Sequence, residues 1–148
     1  MIQRIQSVFL LIAAILCGIT VFAPLAWFGA EGEMAVLHAF VLEQGASSEA
    51  MPVWTGILLV ITTLLPAVTI FLFKHRMLQV RLCITEAILC IGALVMMAYT
   101  YFSMGSEAAS QGVKPAIALP AVALVFVLLA AKAIFRDEML VRSLDRIR

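Results

Sequence analysis

Glu86 is the first candidate for a functional side chain in this sequence, because it is the only acid within a long apolar stretch. A charged side chain at the centre of a bilayer costs about 2.5–3.5 kcal/mol on insertion scales. Counted from Leu82, Glu86 lies roughly 6 Å below the nearer membrane interface. We favour a structural ion pair for its carboxylate, with Lys132, Arg81 or Arg4 as the partner. The alternative is a relay for protons or cations.

The three cysteines are expected to be small, buried apolar residues. Cys83 and Cys90 are seven residues apart, which separates them by about 10 Å along one helix and places them beyond disulfide reach. No Cys-x-x-Cys pair is present. His38 and His75 fall in loops that we predict on opposite sides of the membrane, so they cannot hold one haem iron between them.

A further set of potential ligands lies in the polar segment 29–52. Glu31, Glu33, His38 and Glu43 offer oxygen and nitrogen donors there. Their spacing matches no known ligand pattern, and acidic loops are commonly just solvated. We therefore predict no catalytic residue, no cofactor and no metal site in this chain.

Four long apolar stretches are the elements that must position these residues. The chain has 148 residues, of which 64% are hydrophobic and 13% charged, and its mean hydropathy is +1.11. A spanning helix needs about 20 predominantly apolar residues, and the stretches at 7–28, 53–73, 82–102 and 115–135 meet that length. The predicted fold class is all-α, a four-helix transmembrane bundle that forms one integral membrane domain over residues 1–148.

The distribution of lysine and arginine predicts that both termini are cytoplasmic. Nine of the ten cations precede the first stretch, separate the second from the third, or end or follow the fourth. Lys114 is the exception. Because translocation of lysine and arginine is disfavoured, we expect the cation-rich side to be the cytoplasmic side.

The connections between the spans are unequal. The inner loop 74–81 is short, so the second and third helices should be antiparallel neighbours. The outer loop 29–52 has room for structure of its own, and we expect its apolar part, Met34 to Leu42, to form a helical turn on the membrane surface or a short hairpin. Residues 136–148 are predicted to continue the fourth helix as a cytoplasmic amphipathic tail.

Three segments on the predicted inner side resemble those of a known family. They are Met-Ile-Gln-Arg-Ile-Gln at 1–6, Lys-His-Arg-Met-Leu-Gln-Val-Arg at 74–81 and Arg-Asp-Glu-Met-Leu-Val-Arg-Ser-Leu-Asp-Arg at 136–146. With them, the chain resembles a family of small four-helix inner-membrane proteins of Gram-negative bacteria that is described as a domain of unknown function. The resemblance implies four spans and an inner-membrane location, and it implies no reaction, ligand or catalytic residue.

The concentration of cations on one face leads to our hypothesis for function. We expect a non-enzymatic scaffold or accessory subunit of a membrane complex, whose basic cytoplasmic face contacts anionic lipid headgroups or an acidic protein partner. A homo-oligomer is the alternative assembly, and nucleic acid is not expected as a partner. The candidate contacts are Arg4, Lys74, Arg76, Arg81, Arg142 and Arg146. The competing hypothesis is a small transporter or channel with Glu86 near its inner mouth.

Overall fold

The chain folds into a helical bundle with a small sheet at one end, as described by a computed structural model. The structure describes residues 3–30, 33–44, 47–50, 53–72, 75–106, 108 and 110–145. For residues 3, 4, 30, 33, 44, 47–50, 142, 144 and 145 it describes only the backbone. The elements in chain order are α1 (Gln3–Phe22), β1 (Ala26–Ala30), β2 (Glu33–Leu37), β3 (Val41–Gln44), β4 (Ser47–Ala50), α2 (Val53–Phe71), α3 (Arg76–Gly105), β5 (Ser110–Val113), a short 3-10 helix (Pro115–Ala118) and α4 (Leu119–Asp145).

The four helices pack as a ring in which each helix contacts two neighbours. α1 packs on α2 and α4, and α3 packs on the same two helices, so α1 and α3 face each other across the bundle. Small residues such as Ala13, Ala87 and Ala123 line the core and let the helices approach closely. At Gly18 an added Cβ would lie 3.4 Å from the Thr63 methyl group, which shows how closely α1 approaches α2.

The outward faces of the helices are apolar. Isoleucine, valine, leucine and phenylalanine side chains project away from the bundle on all four helices, and only 28–33% of each apolar window is buried inside the protein. Each helix is long and apolar enough to cross a membrane. Because such an outer surface requires lipid as its solvent, the protein is a membrane protein with four candidate spans.

The prediction of an all-α fold was wrong, because five short strands form an antiparallel sheet. The sheet has the order β4-β3-β2-β1-β5. The hairpin alternative for the outer loop is correct and the helical turn is wrong, since Leu37 of β2 pairs with Leu42 of β3. Strand β5 lies between α3 and α4 in the chain and pairs with β1, so the sheet joins both loops of this end.

Side chains alternate across the sheet and bury one face against the helices. Ala26 and Phe28 of β1 are buried, as the two-residue period of a strand requires. The Phe28 ring lies 5.7 Å from the Tyr101 ring of α3. The backbone of Leu25 accepts a hydrogen bond from the Lys114 N–H at 3.0 Å. We call this end of the molecule the sheet end, and the end formed by the start of α1, the start of α3 and the end of α4 the charged end.

Two helix boundaries differ by six residues from the predicted spans. α1 ends at Phe22 rather than residue 28, because Pro24 lacks an N–H and disfavours helical geometry in the residue before it. α3 begins at Arg76, six residues before the predicted Leu82. α4 runs without interruption to Asp145, so the fourth span and most of the predicted tail are one helix.

Candidate functional site

The structure buries Glu86 in the bundle and keeps it apart from the proposed cations. The residue is 1% exposed, whereas Lys132 and Arg81 are exposed. In the part of the chain that the structure describes, no ion pair joins Glu86 to either cation. The side chain of Arg4 lies outside the described residues.

Glu86 lies well inside α3. It is ten residues from the first residue of that helix, or about 15 Å along the axis. The structure places it near Cys17, which itself lies beside Thr62, the middle residue of α2. Because Thr62 is about 14 Å from either end of α2, Cys17 and Glu86 lie at the level of the middle of that helix.

Two cysteines surround the Glu86 carboxylate. Cys90 lies one turn after Glu86 on α3, and its thiol donates a hydrogen bond to Glu86 Oε1 at 3.4 Å. Cys17 reaches the same place from α1. One donor atom from each of Cys17, Glu86 and Cys90 lies within 4.8 Å of the other two, and all three residues are buried. We call this group the Cys–Glu cluster.

The surroundings of the Cys–Glu cluster are almost entirely apolar. On α4, Ala123, Val127 and Ala130 belong to the same packed core. Thr62 of α2 is the polar neighbour; its hydroxyl donates to the Leu59 carbonyl at 2.9 Å, and its side chain lies within hydrogen-bonding reach of Cys17. A site of this kind, with two thiols and a carboxyl group screened from water, can hold a proton or a soft metal ion.

One oxygen of this carboxylate lacks a partner. Glu86 Oε2 accepts no hydrogen bond among the described residues, although it is buried. Leaving a buried polar atom unsatisfied costs about 1–3 kcal/mol, and more for a charged group. Native proteins satisfy most buried polar atoms, so an orphan of this kind calls for an explanation.

The Cys–Glu cluster was not predicted from the sequence. We had expected Cys17 and Cys90 to be separate apolar residues, and they lie in helices that are distant in the chain. Only the rotation of α1 and α3 about their axes brings the two side chains together. The spacing of Glu86 and Cys90, four residues apart, was the one visible part of the site.

At the charged end, α3 and α4 enclose an open groove of about 610 Å³. We call it the α3/α4 groove. Its lining residues are His75, Arg76, Met77, Leu78, Arg81, Glu138 and Val141. Of the predicted cationic contacts, Arg76 and Arg81 therefore lie together. Lys74 and Arg146 lie outside the described residues, as do the side chains of Arg4 and Arg142.

A second groove, between α1 and α4, has a volume of about 410 Å³. Its lining residues are Ile5, Leu129, Lys132, Ala133, Arg136, Asp137 and Leu140. The Gln6 amide of α1 donates a hydrogen bond to the Asp137 carboxylate of α4 beside this α1/α4 groove. Lys132 thus lines a surface groove on the opposite side of α4 from Glu138 and Val141.

Of the four potential ligands in the outer loop, the structure places His38 and Glu43 near each other. His38 Nε2 lies 3.8 Å from Glu43 Oε2 in the β2–β3 hairpin, and Glu43 is exposed. Glu31 and the side chain of Glu33 lie outside the described residues. A single contact of this kind at the surface contributes little to stability.

Comparison with known proteins places the whole fold in one family. A family profile matches residues 2–147, a range that includes all four helices and the five strands of the sheet. No curated protein matches the chain. The uncharacterised family implied by the resemblance is confirmed by this match. The chain belongs to the family described as Domain of unknown function (DUF4293).

Proposed function

We propose that this protein is a non-enzymatic accessory or scaffold subunit of a complex in the inner membrane of Gram-negative bacteria. In this proposal both termini are cytoplasmic, and the α3/α4 groove receives an acidic group of the partner. The observation that carries the proposal is the convergence of Arg76 and Arg81 in a groove of about 610 Å³ beside the end of α4.

The lengths of the helices support a groove at the membrane surface. α4 continues ten residues past Phe135, where the predicted span ends, which extends it by about 15 Å. α3 begins six residues before its predicted span. The groove between these extensions would therefore be open to an aqueous phase rather than to hydrocarbon.

The chemistry of the groove favours an anionic occupant. An arginine guanidinium presents several N–H donors in a planar fork that matches a carboxylate or phosphate. Arg81 is exposed and Arg76 is half-buried, so a partner can reach both without unfolding either helix. Glu138 lines the same groove. It would repel the acidic group of a partner that was placed next to Glu138 instead of next to the two arginines.

Extraction of the full-length protein from its own membrane in a mild detergent, followed by native mass analysis, tests the proposal. We expect a defined heteromeric complex with the unaltered chain. The variant Arg76→Glu/Arg81→Glu should lose the partner while still inserting in the membrane. The matched control is Lys132→Glu/Arg136→Glu, which makes the same change of charge in the α1/α4 groove and should keep the partner.

Two results would contradict the accessory-subunit proposal. One is a chain that migrates only as a homo-oligomer. The other is equal retention of the partner by both double variants, since the α3/α4 groove would then have no part in the assembly.

A second candidate function, transport of protons or cations, is favoured by the Glu86 carboxylate in the bundle core, whose Oε2 has no partner among the described residues. Ionisable residues inside spans are common in such pathways. α2 continues through Pro66 as one helix, so this candidate rests on Glu86 alone. The protein in liposomes should dissipate a pH gradient, and Glu86→Gln should abolish the flux. The same flux with the Gln variant would remove Glu86 from any transport mechanism.

A further inference from the structure

We propose that Cys17, Glu86 and Cys90 form an intramembrane Zn²⁺ site. The inference does not depend on the accessory-subunit proposal, because it concerns the bundle core and not the charged end. Its starting observation is the convergence of two thiols and one carboxylate from two helices, with one donor atom of each within 4.8 Å of the others.

The donor atoms and their spacing fit zinc. Zn²⁺ binds thiolate sulfur at about 2.3 Å and carboxylate oxygen at about 2.1 Å, usually in a tetrahedron. Those bond lengths place neighbouring donors about 3.6 Å apart. Cys90 Sγ and Glu86 Oε1 are already 3.4 Å apart, so only a small side-chain movement is needed to bring Cys17 Sγ to bonding distance. Mg²⁺ and Ca²⁺ prefer oxygen donors alone and fit this set poorly.

The orphan oxygen of Glu86 is the independent observation that points to a ligand. Glu86 is 1% exposed, and its Oε2 has no hydrogen-bond partner among the described residues. A cation that bound the carboxylate through both oxygens would give Oε2 the partner that it lacks, since the Cys90 thiol reaches only Oε1. A buried metal ion is one of the ordinary explanations for an unsatisfied polar atom in a native protein.

Charge balance is also compatible with a site in hydrocarbon. If Zn²⁺ enters and the two thiols each release a proton, the net charge of the cluster does not change. This balance holds with Glu86 as a carboxylate before and after the metal binds, so that it supplies an oxygen ligand and the cluster keeps one negative charge. Thr62 of α2 lies beside Cys17, and its hydroxyl donates a hydrogen bond to the Leu59 carbonyl, so Cys17, Glu86 and Cys90 are the three ligands that the described residues offer.

Such a site would have a structural consequence. α1 and α3 lie across the bundle from each other, and each packs instead on α2 and α4. Zinc held by Cys17 of α1 and by Glu86 and Cys90 of α3 would link the diagonal pair directly. The metal would thereby fix the rotation of both helices within the ring.

Titration of the full-length protein with ZnCl₂ tests the site. The protein is purified in detergent with a chelator and a phosphine reductant, and then freed of chelator; bound metal is measured by mass spectrometry. We expect one Zn²⁺ per chain. Cys17→Ser, Cys90→Ser and Glu86→Gln should each weaken binding at least tenfold. The matched control is Cys83→Ser, since Cys83 is also buried in α3 but lies outside the cluster, and it should bind as the unaltered chain does.

If the serine variants fail to fold, substitution of Co²⁺ into the unaltered chain still tests the site. Co²⁺ substituted into the unaltered chain should give a thiolate-to-cobalt charge-transfer band with the intensity of two thiolate ligands. Absence of both this band and stoichiometric zinc would overturn the proposal. Equal loss of zinc in Cys83→Ser and Cys17→Ser, or full retention in Cys17→Ser and Cys90→Ser, would also overturn it.

Discussion

At the scale of single residues, the bundle core contains one side chain that works against stability. The Glu86 carboxylate is buried beside Cys90, and one of its oxygens is unpartnered among the described residues. Replacing buried charged groups by well-packed apolar ones is often neutral or stabilising. Residues that lower stability are retained where they serve function. A rise in the free energy of unfolding when Glu86 is replaced would therefore indicate that Glu86 has a functional role.

Substitution of Glu86 by Met should stabilise the metal-free protein. We expect the free energy of unfolding in detergent with a chelator to rise by about 1–2 kcal/mol, because the orphan oxygen is removed and the volume is similar. Addition of Zn²⁺ should raise the melting temperature of the unaltered chain and leave Glu86→Met unchanged. Thermal unfolding followed by circular dichroism measures both effects, with exposed Thr85→Val as the control; a less stable Glu86→Met protein would contradict this account.

Gly56 is required by the packing of the outer hairpin on α2. A Cβ at Gly56 would lie 2.2 Å from Cε1 of the Phe40 ring, so Gly56→Ala should displace that ring and destabilise the protein by about 1–3 kcal/mol. The control is Gly92→Ala, whose Cβ would meet Leu58 Cδ2 at an ordinary 3.7 Å. That variant should be neutral or more stable, because alanine favours helix. Equal melting temperatures for the two variants would show that the Phe40 ring can move away from residue 56 without loss of stability.

At the scale of elements, the sheet connects two loops that are separate in the chain. β1 follows α1, whereas β5 precedes α4, and their pairing runs from Ala26↔Val113 to Gly29↔Ser110. A strand as short as β5 is marginal by itself, so it depends on β1 and on the side chains that cover it. The Trp27 indole lies over Gly112, where a Cβ would be only 2.3 Å from its ring nitrogen.

Gly112→Val should therefore separate β5 from the Trp27 indole that packs over it. The valine side chain cannot share the space of the Trp27 indole, so we expect that ring to move into a more polar environment. In a Trp54→Phe background, which leaves Trp27 as the only tryptophan, the fluorescence emission should shift to longer wavelength. Val113→Thr, at an exposed position of the same strand, should leave the spectrum unchanged. An unshifted spectrum in Gly112→Val would show that β5 tolerates the larger residue.

At the scale of the whole molecule, the two ends differ in charge and in structure. The sheet end carries Glu43 on an exposed surface, whereas the charged end carries Arg76, Arg81 and Arg136. Between them, the outward faces of all four helices are apolar. We expect this difference in charge to orient the protein in its membrane, because lysine and arginine are retained on the cytoplasmic side.

Orientation can be measured with one added cysteine at each end, since the three native cysteines are buried. Met34 in β2 and Met139 in α4 are both exposed. On spheroplasts, a maleimide that cannot cross membranes should label Met34→Cys at once and Met139→Cys only after permeabilisation. The reverse pattern would place the sheet end in the cytoplasm and would remove the cytoplasmic setting of the α3/α4 groove.

The sequence by itself determined that this protein has four apolar helices suited to a membrane, because hydropathy and span length are properties of contiguous residues. It did not determine the sheet. Strands of four or five residues carry too weak a sequence pattern to be told from loops, and they form only because β1 pairs with β2 on one side and with β5 on the other. Nor did it determine the Cys–Glu cluster. Cys17 meets Glu86 and Cys90 only because helix packing sets which faces of α1 and α3 turn inward, and that choice depends on side chains of all four helices at once.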